Sequence, residues 1–172
     1  GVVLPKGGSG WLRMPPMPSH RLEALALDNR FAALPPDYYS QVAPSPLPEP
    51  RLLHFNEEAA RLIELDPREA ARPEFTDIFA GNRALPGGDP VAMLYAGHQF
   101  GSWVPQLGDG RAILLGQVRN GSNQSWDLQL KGAGKTPYSR FADGRAVLRS
   151  SIREYLCGEA MHGLGIPTSR AL

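Results

Sequence analysis

Apolar and polar positions alternate along this chain in three different rhythms. From Asn56 the apolar residues Ala60, Leu62, Ile63 and Leu65 gather on one side of a short helical pattern. Asn56 stands where an N-cap would be, Glu57 and Glu58 fall in the positively polarised first turn, and Asp66-Pro67 ends the run. Between Ser102 and Leu130 the rhythm shortens. Three strand-like segments, 102–106, 112–118 and 126–130, are separated by Gly-Asp-Gly and by Arg119-Asn120-Gly121-Ser122-Asn123, which predicts an antiparallel meander. The third rhythm is helical again. Val147, Leu148, Ile152, Leu156, Ala160 and Leu164 recur at three- and four-residue intervals, with Gly165 and Pro167 as stop signals.

The stretches between these elements are set by proline and glycine. Many of the 17 prolines lie in residues 1–50, in clusters at Pro15 to Pro18, Pro35-Pro36 and Pro44 to Pro50, which disfavours long helices and central strands and predicts an extended arm. Gly81 to Pro90 is rich in turn residues, and the apolar run Val91 to Tyr95 after it fits a strand or a helix equally well. Gly132 to Gly144 reads as a loop. The expected class is α+β, with a proline-rich arm over 1–50 and one folded unit over 51–172.

Composition narrows the partners. Of 172 residues, 42% are apolar, enough for one domain with a core. Eighteen Lys and Arg against seventeen Asp and Glu give a net charge of +1, so there is no basis for a broad nucleic-acid or membrane surface, and any anion must be held locally. A single cysteine, Cys157, forms no internal disulfide and points to a reducing compartment. No apolar run reaches the roughly 18 to 20 residues of a membrane span, and Gly1 to Pro18 lacks a basic-then-apolar secretory pattern, so the expected location is the cytoplasm, or the mitochondrion in a eukaryotic source. A first residue that is not methionine, and an end at Leu172 where an apolar segment is beginning, suggest a fragment.

Candidate chemistry concentrates between residues 108 and 154. In Gly108-Asp109-Gly110-Arg111 the glycines permit a tight turn that brings amide donors close to a phosphate, and Arg111 adds a forked cation; the same four residues also make an ordinary hairpin turn. Lys131 leaves an apolar strand directly into Gly132-Ala133-Gly134. Kinase-like folds hold ATP phosphates with such a lysine and orient it with a glutamate from the following helix; Glu154, 23 positions on, is placed for that role or for an exposed pair with a neighbouring arginine. Asp143-Gly144 offers either a helix N-cap or a nucleotide contact. Arg140, Arg145, Arg149 and Arg153 form a basic run, the last three at four-residue spacing on one expected helix face. Gly134-Lys135-Thr136 imitates the end of a P-loop, but the position five residues before Gly134 is Gln129 rather than glycine, and Pro137-Tyr138-Ser139 does not continue as an apolar helix. His98 and His162 have no second ligand at metal-like spacing.

Taken together, Tyr95-Ala96-Gly97-His98-Gln99-Phe100-Gly101, Gln106 to Ala112, Leu130 to Gly134, Thr136 to Arg140, Asp143 to Glu154, Glu159 to His162 and Leu164 to Thr168 resemble the selenoprotein O (YdiU) family, in order, with coverage from about Asn29 to the end. The resemblance implies a protein-kinase-like fold of which this chain supplies the N-lobe, an antiparallel sheet plus a long helix. It implies an ATP-dependent protein adenylyltransferase, which moves AMP onto protein hydroxyls and releases pyrophosphate. ATP contacts are then expected at Gly108, Gly110, Arg111, Lys131, Asp143 and Gly144, with Glu154 pairing Lys131. The catalytic aspartate, the ligands for Mg2+ or Mn2+ and the family's redox-active cysteine or selenocysteine are expected downstream of Leu172, and Cys157 is not the counterpart of that last residue. A nucleotide-binding pseudokinase and an ordinary phosphotransferase are the alternative readings.

Overall fold

The computed structural model describes residues 19–172. The first part of the expected arm, Gly1 to Pro18 with its Pro15 to Pro18 cluster, lies outside the described residues. The fold is α+β and antiparallel. Its strands are β1 (Leu27–Asp28), β2 (Tyr39–Gln41), β3 (Val91–Met93), β4 (Gly97–Gln99), β5 (Ser102–Val104), β6 (Ala112–Arg119) and β7 (Ser125–Lys131), and its helices α1 (Glu57–Leu62), α2 (Pro73–Phe79) and α3 (Leu148–Gly163).

The long hairpin β6–β7 organises the sheet. Seven residue pairs run from Ala112 opposite Lys131 to Arg119 opposite Ser125, with a bulge between Leu114 and Gly116. Across the other edge of β6, β1 pairs at Val118 and Gln117 and β3 at Leu114, and β2 adds to β3 as the outermost strand. The Val91 run, open between strand and helix by its pattern, is therefore a strand. Bulges increase local twist and break strict alternation, and here Ile113, Leu114 and Leu115 are all buried in succession.

One face of the sheet is covered by α1, α2 and the turn at Leu22–Ala24, with Leu22, Ile63, Leu65, Phe75, Ile78, Ile113, Leu115, Val118, Leu128 and Leu130 in a single core. Phe75 stacks edge-on against Phe55, ring centroids 5.5 Å apart, and lies 4.6 Å from Phe79. Helix α1 starts as its sequence predicts: the Asn56 side chain accepts from the Glu58 and Ala59 amides, which satisfies two of the helix's orphan donors. Helix α2 carried no sequence expectation.

Three expectations change. Residues 19–50 do lack long helices, yet this stretch is no free arm: Leu22 is fully buried, β1 and β2 belong to the sheet, and Arg72 on the far side of the core binds Glu23 through both terminal nitrogens at 3.0 and 2.7 Å. Proline confines this region to edge positions, where a missing N–H costs no ladder bond. The three-stranded meander is not formed either. Segment 102–106 yields β5, which pairs with β4 in a separate two-stranded ribbon turning at Phe100-Gly101, and of the three expected segments only the second and third, β6 and β7, pair with each other. Finally, α3 begins at Leu148 with Val147 as its N-cap residue, so Asp143 is not the cap and Arg145 lies outside the helix that carries Arg149 and Arg153.

Candidate phosphate-binding site

The open end of the β6–β7 hairpin gathers the candidate residues. Lys131 closes β7 opposite Ala112, and one step further the Gly132 amide donates to the Arg111 carbonyl at 2.7 Å, so Arg111 and the Gly132 loop sit face to face. The chain then doubles back on itself. Gly134 N donates to Gly144 O at 3.1 Å, and Ala133 bridges Arg145 in antiparallel fashion. Gly144 has φ +71°, and a Cβ there would lie 1.9 Å from the Gly134 carbonyl oxygen, so only glycine permits the two loops to touch. Asp143 is exposed and its Oδ1 accepts from the Arg145 amide at 2.9 Å. This local turn gives Asp143 the stabilising role that the sequence offered it at the helix N-cap.

Lys131 Nζ and Glu154 Oε1 form an ion pair between the end of β7 and the second turn of α3. Both side chains are about half exposed, 49% and 51%. An exposed pair contributes about 0–1 kcal/mol to stability, so its consequence is orientation: the ammonium is kept at the mouth of the loop. Arg111 is exposed, and its guanidinium takes no carboxylate partner among the described residues. Arg145 is committed to the carbonyls of Ser45 and Pro46, each at 3.0 Å, and clips the proline-rich segment onto the loop.

The Gly108–Arg111 turn is built from the inside. Its amides divide into two sets. Gly108 N donates to Tyr95 O at 3.1 Å and Asp109 N to Met93 O at 2.8 Å, whereas the N–H groups of Gly110 and Arg111 have no acceptor among the described residues. Two consecutive free N–H groups are the unit of an anion-binding concavity. Among the described residues Gly108 therefore has no free amide, and the free donors on this turn are those of Gly110 and Arg111.

The Asp109 side chain faces inward, only 5% exposed, and accepts from Met93 N at 3.1 Å, Tyr95 Oη at 3.0 Å and Gln129 Nε2 at 3.5 Å. Burial pushes its carboxyl above the usual range, with the Met93 and Tyr95 hydrogen bonds opposing. Burial, reinforced by that carboxylate, raises the Tyr95 phenol to about 12.

The P-loop imitation does not form. Thr136 is buried and its hydroxyl is bonded to Asp109 O at 2.6 Å, while the residues after it make a turn rather than a helix. Lys135 is exposed on the same loop. Two clefts, of about 370 and 570 Å³, lie under Trp126 and Arg170 and beside Asn82 and Pro90, away from every candidate residue. The site is an open surface at a sheet end, not a closed cavity. Among the described residues no three His, Cys, Asp or Glu side chains group as metal ligands.

Residues 21–172 match the family model described as Protein adenylyltransferase SelO. The chain belongs to the SelO family. It is 64% identical over 151 residues to a protein nucleotidyltransferase YdiU of Thiobacillus denitrificans and 65% identical over 152 residues to one of Bordetella avium, in each case over 88% of this chain and 31% of the relative. A protein of the same name from Myxococcus xanthus is 60% identical over 151 residues, again 31% of its length. The chain thus spans about a third of the length of the curated SelO relatives it matches.

Sequence reasoning reached several of the residues that this end of the hairpin gathers but missed what holds them. Tyr138, Ser139 and the buried side of Asp109 carried no expectation beyond family resemblance, and Thr136 only that of the P-loop imitation. Thr136-Pro137-Tyr138-Ser139 has a usable signal, proline at the second position of a turn with hydroxyl residues at both ends.

Proposed function

We propose that this chain is the ATP-holding part of a protein adenylyltransferase, the complete protein transferring AMP to a Ser, Thr or Tyr hydroxyl of a protein substrate. The single observation behind the reading is the Lys131–Glu154 pair standing beside two free backbone N–H groups and an unpaired arginine. A triphosphate needs its charge neutralised by fixed donors before a phosphorus atom can be attacked. Glycine-turn amides, one guanidinium and one strand lysine are such donors. A lysine closing a strand, with its glutamate on the long helix that follows, is also the arrangement of protein-kinase-like N-lobes, which is the scaffold we assign to this region.

In the reaction proposed, the acceptor oxygen attacks the α-phosphorus of ATP, the bond from that phosphorus to the β-bridging oxygen breaks, pyrophosphate leaves, and the hydroxyl proton is lost to a base. In this chain Lys131, Arg111 and the Gly110 and Arg111 amides hold the phosphates, Asp143 and Gly144 border the nucleotide, and Glu154 aims Lys131. A divalent cation, Mg2+ or Mn2+, would supply further charge neutralisation from ligands elsewhere in the protein. The names of the relatives, nucleotidyltransferases acting on protein, support transfer over mere binding. A lone cysteine, Cys157, favours the cytoplasm as the place of action.

The test uses the full-length protein and ATP labelled separately at the α and γ positions. Adenylylation puts label on protein from the α position alone. Label from the γ position alone would make the protein a phosphotransferase, and ATP binding with no label from either would make it a binding module.

A further inference from the structure

The turn Thr136-Pro137-Tyr138-Ser139 packs directly on the Gly108–Arg111 turn, and the hydroxyls at its two ends, those of Thr136 and Ser139, each make a paired set of bonds. Thr136 Oγ1 accepts from Tyr138 N at 3.1 Å and donates to the Asp109 carbonyl at 2.6 Å. Ser139 Oγ accepts from Thr136 N at 2.8 Å and donates to the Gly110 carbonyl at 2.5 Å. Both residues are buried, at 8% and 6% exposure. The contacts span 27 and 29 residues of sequence, so they are a designed meeting of two loops rather than a local turn habit.

The geometry of the peptide bond turns this packing into a statement about the site. In a trans peptide the C=O of one residue and the N–H of the next point in opposite directions across a rigid plane, and this chain has no cis peptide among its described residues. When Thr136 fixes the Asp109 carbonyl inward, the Gly110 N–H is driven outward. When Ser139 fixes the Gly110 carbonyl inward, the Arg111 N–H is driven outward. These are the two amides of this turn that lack an acceptor among the described residues. The glycines are required for the same contact: a Cβ on Gly108 would come within 2.6 Å of the Tyr138 ring, and one on Gly110 within 3.1 Å of the Tyr138 carbonyl. Tyr138 is itself tied to β2, its hydroxyl 3.0 Å from Ser40 Oγ.

We propose that Thr136 and Ser139 are positioning residues for the nucleotide, a hydroxyl clamp that aims the Gly110 and Arg111 amides at a phosphate group of ATP. The proposal rests on the reading of this face as an ATP site and adds the residues that set its donor geometry. Neither hydroxyl touches the nucleotide. Removing one leaves a buried carbonyl unpaired, which frees the peptide plane to rotate and turns the amide away from the phosphate.

The experiment measures binding of ATP and of adenosine, with Mg2+ present, to the full-length protein and its Thr136→Val, Thr136→Ser and Ser139→Ala variants, at a temperature well below each variant's melting point. Adenosine lacks phosphates and reports the rest of the site. Thr136→Val and Ser139→Ala are expected to weaken ATP binding about tenfold, the scale of one charge-assisted hydrogen bond. Adenosine binding stays within twofold of the parent, and Thr136→Ser restores ATP binding. In transfer assays the loss appears in KM for ATP with kcat little changed. Thr136→Val and Ser139→Ala binding ATP like the parent would overturn the clamp, as would equal loss of ATP and adenosine, which marks a structural role only. Should Thr136→Val fail to fold, Ser139→Ala alone decides by the same comparison. Failure of the parent to bind ATP is a different result, and it removes the ATP site itself.

Discussion

Replacing Glu154 with glutamine separates orientation from stability. The substitution keeps the shape of the side chain and deletes the charge facing Lys131 Nζ. Because the two side chains are 49% and 51% exposed, the lost pair costs about 0–1 kcal/mol of folding free energy. For a unit of this size or larger that lowers the melting temperature by no more than about 4 °C. Catalysis responds on another scale. Without its carboxylate the ammonium is free to swing through solvent on its four-carbon stem, and if Lys131 holds a phosphate as proposed, a displacement of about 1 Å costs on the order of 100-fold. The assay is the initial rate of label transfer from α-labelled ATP to protein by full-length Glu154→Gln, alongside a thermal melt. A fall of about 10- to 100-fold in kcat/KM with a nearly unchanged melt is expected. Transfer within twofold of the parent, or a melt lowered by ten degrees or more, would refute the orienting role.

Two further outcomes follow from the same geometry. Arg111→Lys keeps the charge but loses the fork, so ATP use should weaken by about 1–3 kcal/mol with no change in melting temperature, whereas a solvent-facing Arg111 would leave both Arg111→Lys and Arg111→Ala at parent affinity in an ATP titration. Glu23 is held down to about 2, first by its hydrogen bonds to Arg72, against an ordinary 4.5. A depressed carboxylate stabilises the fold fully above its unfolded pKa and loses that contribution as pH falls through its folded one. The stability gap between the parent and Glu23→Gln, read as urea midpoints, should therefore be present at pH 6 and close between about pH 4.5 and 2; a gap that does not change with pH would contradict the pairing.

What the sequence reveals and what it hides divide by range. Asn56 could be read as a cap because the amides that donate to it lie two and three residues away, and β6, β7 and α3 follow from periodicity over seven to sixteen residues. The spacing of Lys131 and Glu154 was legible because one strand end, one loop and two helical turns lie between them. The pairing of β5 was not, since the sequence of Ser102–Val104 fits β4 and β6 equally well and the short turn at Phe100-Gly101 decides for β4. Prolines in residues 19–50 describe which backbone bonds are impossible but say nothing of Leu22 entering the core. The clamp was hidden for a related reason: hydroxyls bonding carbonyls 27 and 29 residues away leave no periodic trace. Glycines 108 and 110 were visible as turn residues, while the ring and carbonyl of Tyr138 that demand them appear only when the loops meet.

Where the triphosphate lies is measured most directly by a structure of the full-length protein with a non-hydrolysable ATP analogue. The expected result is phosphate oxygens within hydrogen-bonding distance of Lys131 Nζ and of the Gly110 and Arg111 amides, with Glu154 still paired to the lysine. Phosphates held by Lys135 while Lys131 points into solvent would contradict it.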